Sequence, residues 1–155
     1  MKKKDFFQLI EQSIQLELKV ADLYKILSSF FPEDTNFWMQ LHEEEKRHAS
    51  LISKGYVHLS RRRFPLELIA SSIQELIEKN NKLDQLIKEY NKNPPSREVA
   101  FKKAIDIEKS AGEFHFQQAV TYSPSSRIMG VFQQLNKDDK DHERRIIDYM
   151  NDKII

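Results

Sequence analysis

Long stretches of this sequence place apolar residues at the spacing of an α-helix, and few residues interrupt them. The chain has three glycines and five prolines among its 155 residues, whereas β-sheet proteins need many such residues in their turns. Leu, Ile, Lys, Glu and Gln, which favour helix, fill much of the remainder. The sequence therefore predicts an all-α fold. The first stretch shows the spacing at Phe6, Leu9, Ile10, Ile14, Leu18, Ala21 and Ile26.

Four long helices are predicted, and capping or stop residues mark several of their ends. Small polar residues cap helix N-termini, and glycine commonly follows the last turn. Short connections within each helix pair favour antiparallel packing. The predicted segments are 3–29, from Asp34 or Thr35 to Gly55, from Ser96 to Tyr122, and from Ser125 or Ser126 to Asn151.

A long connection separates the second predicted helix from the third. Helical periodicity occurs within it at 66–77 and 83–90, an interruption is expected near Asn80-Asn81, and Pro94-Pro95 closes it. The sequence thus predicts a single four-helix domain over 1–155, with a crossover that carries its own short helices.

Composition excludes several classes of function. The absence of cysteine removes disulfides, thiolate metal sites and cysteine nucleophiles, so metal chemistry would depend on His and carboxylates. The 25 basic and 24 acidic residues produce no global field that would attract nucleic acid or an anionic membrane. The start is basic, but Asp5, Gln8 and Glu11 interrupt any apolar signal segment. We therefore expect a cytoplasmic protein.

Each half of the chain has one carboxylate on an apolar helix stretch, followed by a carboxylate and a histidine three residues apart. Residues at that spacing share a helix face. The second set follows the first at an offset of 91 residues for the lone carboxylate and 94 for the histidine. Four carboxylates and two imidazoles suit two divalent ions, such as iron or manganese. The six residues are Glu17, Glu45, His48, Glu108, Asp139 and His142.

This ordered set resembles the metal ligands of the ferritin-like superfamily, and within it the rubrerythrins. The stretches LHEEEKRHASLI and LNKDDKDHERRI resemble the second and fourth rubrerythrin helices, and AIDIEKSAGEFHF resembles the third. The resemblance extends over nearly the whole chain. It implies a ferritin-like bundle with two iron ions bridged by Glu45 and Asp139, although manganese or zinc could take their place.

The chain also departs from the rubrerythrin pattern. Asp139 stands where a longer Glu is usual, and Ala111 replaces an additional carboxylate. Tyr24 resembles a tyrosine that hydrogen-bonds a ligand carboxylate, and His115 occupies the equivalent position in the second half. Whether His115 supports a ligand or binds metal itself stays open at this point. Glu113 is a further candidate, should Gly112 distort its helix.

The resemblance implies an oxidoreductase that acts on Fe(II), O2 or peroxide, as a ferroxidase or a peroxide reductase. The chain has no rubredoxin-type cysteine module, so electrons would come from an external donor. A homodimer is compatible with the resemblance. The alternatives are a storage bundle that binds iron without turnover, and an interaction bundle with a zinc or degenerate site.

Two further assignments concern side chains near the proposed ligands. His42 lies one turn from Glu45, but the order of the pattern favours Glu45 with His48 as the ligand pair. Aromatic residues within predicted helices are assigned to packing rather than to cofactor binding. These are Phe37, Trp38, Phe114, Phe116 and Phe132.

Overall fold

The computed structural model describes the backbone of residues 2–56, 66–121 and 127–155. Within these ranges the chain forms five α-helices and no strand, which confirms the all-α prediction. A short 3-10 turn, Pro32–Asp34, separates the first two helices. The helices are α1 Lys2–Phe30, α2 Thr35–Tyr56, α3 Leu66–Lys92, α4 Arg97–Thr121 and α5 Arg127–Lys153.

The chain divides into two compact units, at 1–94 and 95–155. The first unit contains α1, α2 and α3, and α1 packs against both of the others. The second unit contains α4 and α5, which pack against each other.

Contacts between α1 and α2 show that these helices are antiparallel. The Thr35 hydroxyl donates to the carbonyl of Ser28, and His42 bonds to the carbonyl of Ala21. The contacts therefore step back along α1 as they step forward along α2. An antiparallel pair with so short a connection agrees with the sequence prediction.

The core of the first unit is built from large apolar side chains at helical spacing. Leu23 and Leu27 of α1, Leu41 of α2 and Leu76 of α3 are at most 1% exposed. Burial of a leucine side chain contributes about 1.5–3 kcal/mol, so these residues supply much of the energy that holds the helices together.

The core of the second unit includes several large aromatic side chains. Phe101, Phe114 and Phe132 are fully or almost fully buried. The rings of Phe101 and Tyr149 stack across α4 and α5 with centroids 5.6 Å apart. Phe116 is 50% exposed, so its assignment to core packing was wrong; its helix turns it toward solvent.

Helix ends follow the capping signals in part. The Ser96 hydroxyl accepts a hydrogen bond from the Val99 amide at 3.2 Å, which caps α4 as predicted. The α2 helix continues one residue past Gly55. The predicted start of the last helix at Ser125 or Ser126 lies outside the described residues.

The expected break at Asn80-Asn81 does not occur, and the short helices predicted there are wrong. The described part of the connection is one helix, α3, which continues through both asparagines. Asn80 is 2% exposed, and its Nδ2 donates to the backbone oxygen and Oε1 of Gln12, at 3.0 and 2.9 Å. The side chain therefore bonds α1 instead of competing for its own backbone.

No helix in the described ranges combines the length and the apolar character needed to cross a membrane.

Candidate metal centre

The first unit brings Glu17 of α1 together with Glu45 and His48 of α2. We call these three residues the first triad. They offer ligand atoms that all lie within 4.8 Å of one another, and they are 2%, 1% and 6% exposed. His48 Nδ1 lies 3.1 Å from Glu45 Oε2 and 3.5 Å from Glu17 Oε2. One imidazole nitrogen therefore faces two carboxylates inside the protein.

Helix geometry explains how the first triad forms. Glu45 and His48 are three residues apart, so one turn of α2 presents both on the same face. Glu17 belongs to the buried face of α1, which also includes Leu16, Val20 and Ala21. The antiparallel contact of the two helices then brings this carboxylate to His48.

The carboxylates change the protonation of His48 in the metal-free protein. Burial by itself lowers the pKa of a histidine, because it penalises the charged imidazolium. Hydrogen bonds and charge interactions with Glu17 and Glu45 outweigh this effect and raise the pKa of His48 to about 11. Without a metal ion, His48 is thus the cation of the triad at neutral pH.

The second unit contains a matching set, Glu108 of α4 with Asp139 and His142 of α5. We call these residues the second triad. Their ligand atoms also lie within 4.8 Å of one another, and each residue is at most 2% exposed. His142 Nδ1 lies 3.4 Å from Glu108 Oε1. Both halves of the sequence repeat therefore produce a buried group of two carboxylates and one imidazole.

His115 contacts the second triad through Asp139. Its Nδ1 lies 2.5 Å from Asp139 Oδ2, and its side chain is fully buried. His115 therefore contacts the second triad as a hydrogen-bond partner of Asp139. Tyr24, at the equivalent sequence position of the first half, is fully buried and stacks on Trp38 at a centroid distance of 5.4 Å.

Two other candidate residues lie away from the triads. His42 points its Nδ1 at the Ala21 carbonyl, 2.6 Å away, so its ring fastens α2 to the backbone of α1. Glu113 is exposed, and α4 continues through Gly112 without a distortion that would turn this carboxylate inward.

Sequence reasoning missed a close contact between α4 and α5 beside Asp139. Asn136 Nδ2 donates to the Gly112 carbonyl at 2.7 Å. A Cβ atom at Gly112 would lie 3.5 Å from the Asp139 Cβ, which is ordinary contact distance. The only available sequence signal was a glycine inside a helical pattern, which often indicates close packing.

Sequence reasoning also missed an open cleft of about 430 Å³ between α4 and α5. Glu108 contributes to its wall, so the cleft connects solvent with a member of the second triad. Lys109 and Glu143 form an ion pair of 3.8 Å at this surface. The other lining residues are Gly112, Glu113, Phe116, Asn136 and Lys140.

The donor groups fit divalent metal ions. Each triad with ionised carboxylates and a neutral imidazole has a charge of minus two, which one divalent ion would balance. Buried carboxylates are costly unless a cation pairs with them. Carboxylate oxygen and imidazole nitrogen are ligands that iron, manganese and zinc accept. The two buried clusters could therefore hold metal ions.

Comparisons with known proteins add no family to this description. No protein-family model matches the chain, and neither a curated protein nor a solved structure shows significant similarity to it.

Proposed function

We propose that this chain is a rubrerythrin-like di-iron protein in which the two triads bind two metal ions and support oxidation of Fe(II) or reduction of O2 or peroxide. The observation that carries the proposal is the buried convergence of two carboxylates and one imidazole, which occurs once in each unit. Such groups are expensive to bury without a function.

The repeat supports the proposal of two bound metal ions, one for each triad. The triads use the same order of residues on corresponding helices, and the second follows the first at a nearly constant offset. Helix bundles commonly build dinuclear carboxylate centres from one Glu on each of two helices and a carboxylate with a histidine on each of the other two. We propose that each triad supplies the ligands of one metal ion, as each half of such a centre does.

The metal ions and the protein side chains would have different roles. The bound metals would supply the electron transfer and the affinity for oxygen species. Glu17, Glu45 and His48 would hold one ion, while Glu108, Asp139 and His142 would hold the other. Burial of the triads would limit access of water, and the cleft that Glu108 lines would be the route of small solutes toward the second triad.

The test is turnover by protein loaded anaerobically with Fe(II). Oxidation would be followed by absorbance after addition of O2 or peroxide, and peroxide consumption would be measured with an added electron donor. We expect turnover by the wild-type chain and its loss in His48→Ala and His142→Ala. The His42→Ala variant, altered at a buried histidine outside both triads, serves as the control.

The outcomes separate the functions that the site could support. Repeated peroxide consumption would identify a peroxide reductase, and repeated Fe(II) oxidation a ferroxidase. Tight iron binding without turnover would overturn the oxidoreductase proposal and favour iron storage. Zinc retained in preference to iron would also overturn it.

A further inference from the structure

Asp139 of the second triad bonds a histidine that is not itself a member of the triad. Asp139 presents Oδ2 to the Nδ1–H of His115 on α4, at 2.5 Å. In the first triad, Oε2 of Glu45 faces His48, which is itself a member of the triad. The two carboxylates that occupy corresponding places in the repeat are therefore held by different partners.

The ring of His115 is itself fixed by packing. It lies against Phe132 of α5 with ring centroids 5.9 Å apart and beside Phe114 at 5.8 Å. One turn earlier, the Gly112 carbonyl accepts the hydrogen bond from Asn136. The contacts of Phe132 with His115 and of Asn136 with Gly112 hold α4 and α5 together next to the His115 and Asp139 pair, so the imidazole is a rigid donor.

A rigid donor restricts how a carboxylate can bind a metal ion. A hydrogen bond to one oxygen orients the carboxylate plane and lowers the basicity of that oxygen. The aspartate side chain is also one methylene shorter than glutamate, so it has less freedom to rotate both oxygens toward metal ions. Both effects favour coordination through Oδ1 alone.

We propose that His115 is a positioning residue, which holds Asp139 so that this carboxylate binds a metal ion as a terminal, one-oxygen ligand. The inference rests on the proposed function, because it assumes that the second triad binds metal. It changes the bridging role that the rubrerythrin resemblance gives to Asp139. The two metal positions are then chemically unequal.

The experiment is Co(II) titration of the full chain, with visible absorption as the readout of coordination and a competing chelator as the readout of affinity. His115→Leu removes the donor and keeps much of the volume. His115→Asn keeps an N–H group at nearly the position of Nδ1. His42→Leu is the matched control, because it removes a buried histidine whose Nδ1 bonds a backbone carbonyl outside the triads.

We expect His115→Leu to weaken Co(II) binding at one position by about tenfold, within the range for loss of a group that orients a ligand. Its ligand-field absorption should also fall, because Asp139 becomes free to bind through both oxygens and raises the coordination number. His115→Asn should recover most of the affinity and the spectrum. His42→Leu should leave both at the wild-type values.

Other outcomes overturn the inference. If His115→Leu and His115→Asn weakened Co(II) binding equally, the effect would come from packing alone. If both variants lost Co(II) binding as completely as His142→Ala, His115 would be a metal ligand. If Glu108→Ala abolished binding at one position while His115→Leu changed nothing, the positioning role would be refuted and the proposed function would stand. Absence of Co(II) binding by the wild-type chain would refute both. Circular dichroism of each variant establishes that it is folded.

Discussion

Replacing one carboxylate in each triad by the corresponding amide should abolish metal binding while changing the stability of the metal-free protein little. In the metal-free protein the first triad combines two carboxylates with a protonated His48, so Glu17→Gln removes an excess buried negative charge. Glu45 remains 3.1 Å from His48 and keeps the ion pair. We expect the metal-free variant to differ little in stability from the wild type, because relief of the excess negative charge offsets the lost contact between Glu17 and His48.

With metal present, the variants should be less stable than the wild type, because they lose the stabilisation that metal binding provides. A ligand at 100 times its dissociation constant stabilises the native state by about 2.7 kcal/mol. For a chain of this size, each kcal/mol added to the free energy of unfolding raises the melting temperature by about 2–4 °C. A filled site should therefore raise the melting temperature by roughly 5–11 °C. The double variant Glu17→Gln/Glu108→Gln should lose this increase.

The assay is thermal unfolding followed by circular dichroism, with chelator and with excess Mn²⁺. Glu11→Gln and Glu113→Gln are matched controls, since both residues are exposed on the same two helices. A Mn²⁺ shift retained by the double variant would refute the role of Glu17 and Glu108 in metal binding. The prediction for the metal-free protein would be refuted if the double variant lost more than about 3 kcal/mol, which is the effect of breaking a required buried ion pair.

Three further predictions concern contacts that the structure shows directly. Asn80→Leu should destabilise the protein by about 1–3 kcal/mol in urea unfolding, because the buried Asn80 loses two partly buried hydrogen bonds to Gln12; Asn81→Leu, at an exposed position, should change little. Ser96→Ala should reduce stability by about 0.5–2 kcal/mol through loss of the helix cap, and Ser96→Asp should retain it. In chelator, the raised pKa of His48, about 11, contributes stability that is complete below the unfolded pKa of about 6.5 and disappears as pH rises through the folded value. Unfolding curves between pH 7 and 9 should therefore show a decline of up to about 1.4 kcal/mol per pH unit from this group, and the absence of a difference in slope between wild type and His48→Leu would contradict the assignment.

The helices and the two triads could be predicted because their signals are local. Apolar periodicity identifies a helix without knowledge of its neighbours, and the capping role of Ser96 depends only on the residues that follow it. The spacing of Glu45 and His48 places both on one helix face whatever the rest of the chain does. Convergence with Glu17 needed one additional inference, the antiparallel packing of two helices joined by a short connection.

The parts that escaped prediction depend on partners distant in sequence. Asn80 has a low helix propensity, which favours a break in the helix. Its contact with Gln12, 68 residues away, explains why α3 continues. His115 could be placed near the second triad, but its bond to Asp139 depends on how α4 and α5 align. The cleft beside Glu108 likewise arises from the packing of two helices, which no single-helix pattern contains.

The central claim is that each triad holds a metal ion, and metal content tests it most directly. Protein purified anaerobically from iron-supplied cells would be analysed by mass spectrometry for the wild type, His48→Ala and His142→Ala. We predict about two iron ions per chain in the wild type and a loss in each variant. No bound metal, or the same metal content in the wild type and both variants, would contradict it.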